Sequence, residues 1–360
     1  MKKYFKDLNI IRLIACIAVL LYHLNILKGG YLAVCTFFVL TGYLSCISAF
    51  RKEKFSLKEY YKNRLFKIYL PLVIVVFISI GIISFLPNIF WFNLKPETTS
   101  VLLGYNNFWQ LNANLDYFAR HVDSPFMHFW YIGILLQFDL VFPFIYLGLK
   151  ELGDHVKKYI PCLFTGFFAI VFALYFYISS KDTNIMVVYY NTFTRIFSIL
   201  FGLTLGFIHH YYGILINKKI QKMKLRKVIF YVYLLLLLLS FILIPSTSEY
   251  FSIAMIIVSL ISMRLIDYAT LDSTNRLNPF GKVVKSLSDI SYEIYLIQYP
   301  LIFFFQNNSL KILLVISLTI VLAYLLHYAL NGKQKILKYS LLVILLSFSA
   351  FGGYQYIKAE

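Results

Sequence analysis

An arginine and a histidine share one apolar segment near the amino terminus, NIIRLIACIAVLLYHLN, with Arg12 and His23 eleven residues apart. At about 100° per residue, eleven residues of helix return to nearly the same face, about 16 Å further along. A neutral imidazole can take a proton from a hydroxyl near neutral pH, which makes His23 a candidate general base. A guanidinium on the same face holds an anion or pairs with a carboxylate. Each residue also has a plainer reading. His23 can cap a helix end on a backbone carbonyl, and Arg12 can snorkel to a membrane surface. Ionisable residues within apolar spans are nevertheless costly and point to function.

Three further groups carry chemistry. Arg64 and Lys67 stand three apart in NRLFKIYLP, ahead of Pro71, and two cations at a membrane edge suit a phosphate-bearing donor or simple flanking charge. The segment HFWYIGILLQFDLVFP places Gln137 and Asp139 two apart, hence on different faces, with Arg12 or Arg195 as partners for the carboxylate. In SLSDISYEIYLIQYPLI, Ser288, Tyr292, Tyr295 and Tyr299 make a stripe, and Glu293 needs a partner or a raised pKa. His209, His210 and His327 read as interfacial or packing residues. No phosphate-binding glycine loop, dinucleotide fingerprint, H-E-x-x-H or G-x-S-x-G occurs. Cys16, Cys35, Cys46 and Cys162 lie in apolar runs without C-x-x-C spacing and read as packing residues, so neither a metal site nor a disulfide framework is expected.

The elements that must position these residues are membrane spans. The 360 residues are 60% hydrophobic, with a mean hydropathy of +0.73, which marks an integral membrane protein. About 20 apolar residues cross the hydrocarbon as a helix. Eleven spans (10–11, as two are short) are expected at roughly 8–26, 31–49, 69–90, 128–149, 159–179, 191–212, 228–245, 250–266, 287–306, 311–331 and 339–357. The fold class is thus an all-α polytopic bundle, a single transmembrane domain over 1–360 with no soluble domain. With span-end residues counted in the adjoining loops, a cytoplasmic amino terminus puts 26 Lys/Arg inside and 6 outside. That bias fixes the amino terminus in the cytoplasm and the carboxy terminus outside. It also explains the +18 charge without nucleic acid as a partner. Residues 50–68 are then a basic inner loop and 91–127 the longest outer loop. The first span has a basic front but no small-residue cleavage site, so it reads as a retained helix.

Taken in order, these segments resemble the acyltransferase-3 family of membrane acyltransferases. The first span is similar to the family's arginine, small-apolar run and Tyr-His ending. GGYLAVCTFFVLTGYLS, which includes Tyr43, is similar to a glycine-rich start followed by FFVLSGF; NRLFKIYLP, FWYIGILLQFDLVFP and ISYEIYLIQYPLI resemble three further blocks. The chain departs from the pattern at Ala33, Cys35, Lys67, Leu135 and Gln298, where glycine, aspartate, arginine, glutamate and histidine are common in relatives. The resemblance implies transfer of an acetyl group from acetyl-CoA, as substrate rather than resident cofactor, to a hydroxyl of a cell-envelope glycan at a bacterial plasma membrane. The likeness is greatest to the membrane part of Gram-positive peptidoglycan O-acetyltransferases, whose outward carboxy terminus usually bears an SGNH-type domain. The chain ends at residue 360, where such a domain would begin, so it is expected to be a piece of a longer protein, or to act with a separate partner or alone.

The roles implied are these. His23 and Arg12 are catalytic, Arg64 and Lys67 bind the acyl-CoA, and Gln137, Ser291, Tyr292 and Tyr43 orient the substrate. The first, second, third, fourth and ninth spans are expected to line the cavity. The acceptor is the glycan, a separate extracellular transferase, or a tyrosine acting as covalent relay. A proton-coupled transporter of a sugar or lipid-linked precursor is the alternative, which the missing internal repeat disfavours. A scaffold protein would have no need of intramembrane charges.

Overall fold

The computed structural model describes residues 6–86, 93–113, 115, 117–118, 124–221, 225–271, 278–306, 308 and 310–358. Among them the chain is entirely helical, and nine helices are long and apolar enough to cross a membrane. The two other expected spans fall short by this measure for different reasons. α1 (Lys6–His23) has 18 residues but includes Lys6, Asp7 and Arg12, and α14 (Ser291–Phe304) has only 14. The helices divide into two compact units: residues 1–55 with 141–289, and residues 56–140 with 290–360.

The first unit is built around α2 (Ala33–Phe50), which packs on α1, α10 (Thr192–Gln221) and α12 (Phe251–Ala269). α10 also packs on α8 (Ile160–Asp182) and the short α9 (Ile185–Tyr190). α11 (Arg226–Leu243) lies on α12, and α13 (Pro279–Asp289) on α1. Two glycines set the central contact. A Cβ on Gly42 would sit 2.0 Å from the Ile199 carbonyl oxygen, and one on Gly202 would sit 1.9 Å from that of Val39. The α2 and α10 backbones therefore touch, the close approach small residues permit where lipid supplies no hydrophobic driving force.

In the second unit α4 (Leu70–Ile83) packs on α16 (Lys335–Lys358) and α14, and α15 (Lys311–Asn331) lies on both α14 and α16. The stretch expected as a basic inner loop is helical instead. Ser56 accepts from the Glu59 backbone N–H at 3.4 Å and caps α3 (Leu57–Arg64), which runs through a π turn at Leu65–Tyr69 into α4. The helix that carries the third expected span thus starts at Leu57 rather than near residue 69. The π turn has a local cause: Pro71 has no N–H to donate, and Leu70 N–H reaches back to the Leu65 carbonyl. The expected outer loop also holds structure, α5 (Leu94–Leu102) and α6 (Asn106–Asn112), while residues 87–92 of the third expected span lie outside the described residues. α7 (Trp130–His155) contains Pro143. Near it, the Leu140 carbonyl accepts from the Tyr61 hydroxyl at 2.7 Å, satisfying a group close to the break in the helix ladder.

The ninth span shortens most. Residues 287–306 were expected as one helix, but α13 ends at Asp289 and α14 begins at Ser291. Ser288 therefore leaves the tyrosine stripe, and its hydroxyl donates to Asn9 Oδ1 at 3.0 Å within the first unit. α14 is buried continuously from Glu293 to Phe303.

Candidate functional site

In the first unit, α1 carries Arg12 half-buried and ends on His23, which is only 8% exposed. Tyr22 and His23 rings lie 5.9 Å apart, Tyr22 and Tyr31 5.8 Å apart, and Tyr31 stacks on Phe251 at 5.4 Å. The α1–α2 connection is a tight passage in which Gly29 N–H donates to the Phe241 carbonyl at 2.8 Å, so the glycine pair GGY seats the chain against α11 beside His23.

About two turns before the end of α2, Tyr43 begins a chain of polar contacts. Its hydroxyl lies 3.1 Å from His209 Nδ1, His209 Nε2 is 2.9 Å from Asp267 Oδ1, and Arg264 Nη1 donates to Asp267 Oδ2 at 2.8 Å. Arg264 donates to one oxygen of Asp267, and the other accepts from the His209 Nε2–H in the tautomer that leaves Nδ1 unprotonated. The Nδ1 lone pair then accepts the Tyr43 O–H. A hydroxyl, an imidazole and a carboxylate in line is the arrangement that activates a weak nucleophile or fixes a polar group in place. His209 was read from the sequence as a packing residue; the chain arises because the Gly42–Gly202 crossing brings α2 and α10 together two turns short of it.

Arg195, one of the two partners expected for Asp139, lies in the same unit and is fully buried. Its Nη1 is 3.1 Å from Met255 Sδ and its Nη2 3.8 Å from Cys35 Sγ, with its guanidinium over the Tyr189 and Phe38 rings at 4.9 and 5.6 Å. None of the four cysteines is in a disulfide, and all but Cys162 are buried.

In the second unit the partner of Asp139 is Arg64. Arg64 Nε lies 3.1 Å from Asp139 Oδ1, and the Tyr60 hydroxyl donates to that oxygen at 2.9 Å. The Arg64 guanidinium also lies over the Tyr60 ring at 5.1 Å. Lys67, in the π turn, is exposed, so the two cations expected on one face have different surroundings: one engaged with Asp139, the other open to solvent. Tyr292 donates to the Ile68 carbonyl at 2.8 Å, tying α14 to the π turn. Ser291, the first residue of α14, is buried. Glu293 finds its partner in His327, whose Nδ1 is 2.7 Å from Oε1. In the first unit Asp289 pairs with Lys285.

Gln137 faces away from Asp139, as their spacing predicts. Its Nε2 donates to the Gly104 carbonyl and to Asn107 Oδ1, each at 2.9 Å, and so holds the α5–α6 junction. That region contains a buried carboxyl missed in the sequence. Glu97 Oε1 accepts from Gln110 Nε2 at 3.1 Å and Oε2 accepts from the Ser124 hydroxyl. Burial nevertheless raises its pKa from the ordinary 4.5 to about 7, against those two hydrogen bonds. Where α7 begins, the His128 imidazole stacks on Tyr299 at 4.9 Å, and the Tyr295 hydroxyl donates to the His128 carbonyl. Among the described residues no group of three or more His, Cys, Asp or Glu is placed to hold a metal ion.

The family model for the acyltransferase domain (Acyl_transf_3) matches residues 5–329, most of the chain. The chain belongs to the acyltransferase-3 family. A putative O-acetyltransferase of Staphylococcus aureus strain COL is 29% identical over 318 residues, covering 85% of this chain and 52% of that protein. The corresponding protein of strain MSSA476 matches to the same extent. O-acetyltransferase OatA of S. aureus strain NCTC 8325 is 29% identical over 214 residues, covering 57% of this chain and 35% of its own length. The chain thus spans about half the length of the curated relatives it matches. No solved structure gives a significant match.

Within this acyltransferase-3 chain, His23 closes α1 and Tyr43 lies on α2 in the first unit, while in the second Arg64 and Lys67 flank the start of the π turn and Gln137 and Tyr292 brace α7 and α14. Sequence reasoning missed His209, Asp267, Arg264, Tyr60 and Glu97. Only Asp267 and Arg264 carried a signal, as charges three apart at the end of an apolar span.

Proposed function

We propose that the protein is a membrane O-acyltransferase that moves an acetyl group from cytoplasmic acetyl-CoA to a hydroxyl of a cell-envelope glycan, peptidoglycan or another surface polysaccharide, at a bacterial plasma membrane. The chain crosses eleven times, with its amino terminus in the cytoplasm and residue 360 outside; α1 and α14 supply the two crossings that length and composition alone do not select. The lopsided distribution of Lys and Arg between alternate loops supports that orientation.

The observation that carries the reading is His23, a buried imidazole ending a helix that starts from the basic amino terminus, in a chain of the acyltransferase-3 family. His23 takes the proton of the acceptor hydroxyl; the oxygen attacks the thioester carbonyl, and coenzyme A leaves as its thiolate. Arg12 stabilises charge on the same helix. Arg64 and Lys67 hold the donor's phosphates. Gln137, Ser291, Tyr292 and Tyr43 orient the reactants, two of them through the segments they brace: Gln137 fixes residues 104–107 and Tyr292 fixes the turn that carries Lys67.

The test is release of free coenzyme A thiol from acetyl-CoA by the purified protein in lipid nanodiscs, with and without soluble peptidoglycan fragments. Fragment-dependent release, lost in His23→Ala and reduced in Arg64→Ala, is expected. Full release in a correctly inserted His23→Ala protein would remove His23 from catalysis. No release by the native protein with any glycan would sink the acyltransferase reading for this chain acting alone.

A further inference from the structure

Between Tyr292 and Tyr299, α14 carries five polar side chains, four of them buried, and four of the five have a hydrogen-bond partner. Tyr292 donates to the Ile68 carbonyl, Glu293 Oε1 meets His327, Tyr295 donates to the His128 carbonyl, and Tyr299 donates to Met127 Sδ at 3.4 Å. Gln298 is the exception. It is 0% exposed, and neither its Oε1 nor its Nε2 has a hydrogen-bond partner. A primary amide brings two donors and an acceptor, and burying both ends unpaired is costly. Leucine, of similar size, would carry no such cost, and the neighbours at this depth, Leu296 and Ile297, are buried aliphatics. Glu293 leaves only its Oε2 unpaired, whereas Gln298 is the one of these five with no partner at either end.

We propose that Gln298 is the hydroxyl-reading group of a sugar subsite for the acceptor, a proposal that rests on the acyltransferase reading above. A hydroxyl fits both ends of the amide at once: it accepts from Nε2–H and donates to Oε1. A thioester or ester carbonyl only accepts, and would leave Oε1 unpaired. The surroundings suit a sugar as well. Tyr299 is the next residue, Tyr295 lies one turn back, and the His128 ring stacks on the first at 4.9 Å and tilts against the second at 5.1 Å. The aromatic cluster thus starts at the residue beside Gln298, and aromatic rings with a few polar groups are the lining that suits the C–H face and the hydroxyl edge of a pyranose. Glutamine does not titrate, so recognition at this position is independent of pH.

Full-length native, Gln298→Leu and Gln298→His proteins in nanodiscs would be compared by three readouts: the thermal midpoint, KM for acetyl-CoA and for soluble peptidoglycan glycan fragments, and direct binding of those fragments without acetyl-CoA. The leucine variant is expected to raise the fragment KM and weaken fragment binding about tenfold, the value of one buried hydrogen-bond pair. Its KM for acetyl-CoA should be unchanged and its thermal midpoint the same or higher, since the unpaired amide is gone. Gln298→His keeps one donor and one acceptor and should retain binding. If leucine prevents folding, Gln298→Met carries the same test. Native fragment binding and KM in the leucine variant would overturn the proposal, as would a lowered thermal midpoint with binding intact, which marks an amide held by buried water. Binding lost in the leucine variant while the native protein releases no coenzyme A would keep the subsite and reject the acyltransferase reading. Release that is normal in both would do the reverse.

Discussion

The Tyr43 hydroxyl and His209 Nδ1 stand 3.1 Å apart, and the other nitrogen of that imidazole faces Asp267 at 2.9 Å. The relationship joins α2, α10 and α12 by side chains, two turns along α10 from where Gly42 and Gly202 join α2 and α10 by backbone. A double-mutant cycle with Tyr43→Phe and His209→Gln should give a coupling of about 0.6–1.7 kcal/mol in thermal or denaturant unfolding, the range measured for interhelical hydrogen bonds in membranes. A coupling of zero would mean the contact does not hold these helices.

The Gly42–Gly202 crossing itself predicts a steep size dependence. Gly202→Ala places a methyl group 1.9 Å from the Val39 carbonyl oxygen, so α2 and α10 must separate. The expected result is a loss of stability of about 1–3 kcal/mol and a longer Tyr43–His209 contact. Measuring the thermal midpoint alongside acetyl transfer tests both, and unchanged values in both would contradict the close backbone contact.

Arg64 and Lys67 should separate cleanly by readout. Lys67→Ala removes an exposed cation; it is expected to raise KM for acetyl-CoA a few-fold, about the worth of a surface ion contact, with the thermal midpoint unchanged. Arg64→Ala leaves the buried Asp139 carboxylate without its cation, so stability should drop by about 1–3 kcal/mol in addition to any change in KM. Adding Asp139→Asn to Arg64→Ala should restore much of that stability, because no buried charge is then left over.

Glu97 predicts a pH dependence of stability. Its folded pKa of about 7 lies above the ordinary 4.5, so between those values the folded state holds a proton that the unfolded state has lost. Stability from this group is therefore greatest below pH 4.5, falls as the pH rises toward 7, and levels off above it. The full span is about 3 kcal/mol. Glu97→Gln should flatten that limb and raise the thermal midpoint at pH 8, where native Glu97 carries an uncompensated charge among Ser124 and Gln110. An unchanged pH profile in the variant would place Glu97 in water rather than in this buried network.

His23→Ala should lower acetyl transfer by about 10²–10⁴-fold, the usual worth of a general base, with native insertion and thermal midpoint. A loss of only a few-fold would shift the base to another group, and the Tyr43–His209 pair would be the next to test.

What the sequence determines by itself is the membrane class, most span positions, and the family. Those follow from local quantities: runs of about 20 apolar residues, Lys and Arg in alternate loops, and short blocks such as NRLFKIYLP in fixed order. The partners of the buried polar groups are not local. Asp139 lies 75 positions from Arg64, His209 lies 58 from Asp267, and Glu293 lies 34 from His327, and several residue types would satisfy each by composition alone. Only packing decides which pairs meet, because a polar group in hydrocarbon takes whichever partner the helix crossings bring within about 3 Å. The same is true in reverse for Gln298: its sequence neighbours give no sign that its amide is unpaired, and only the folded surroundings of α14 do.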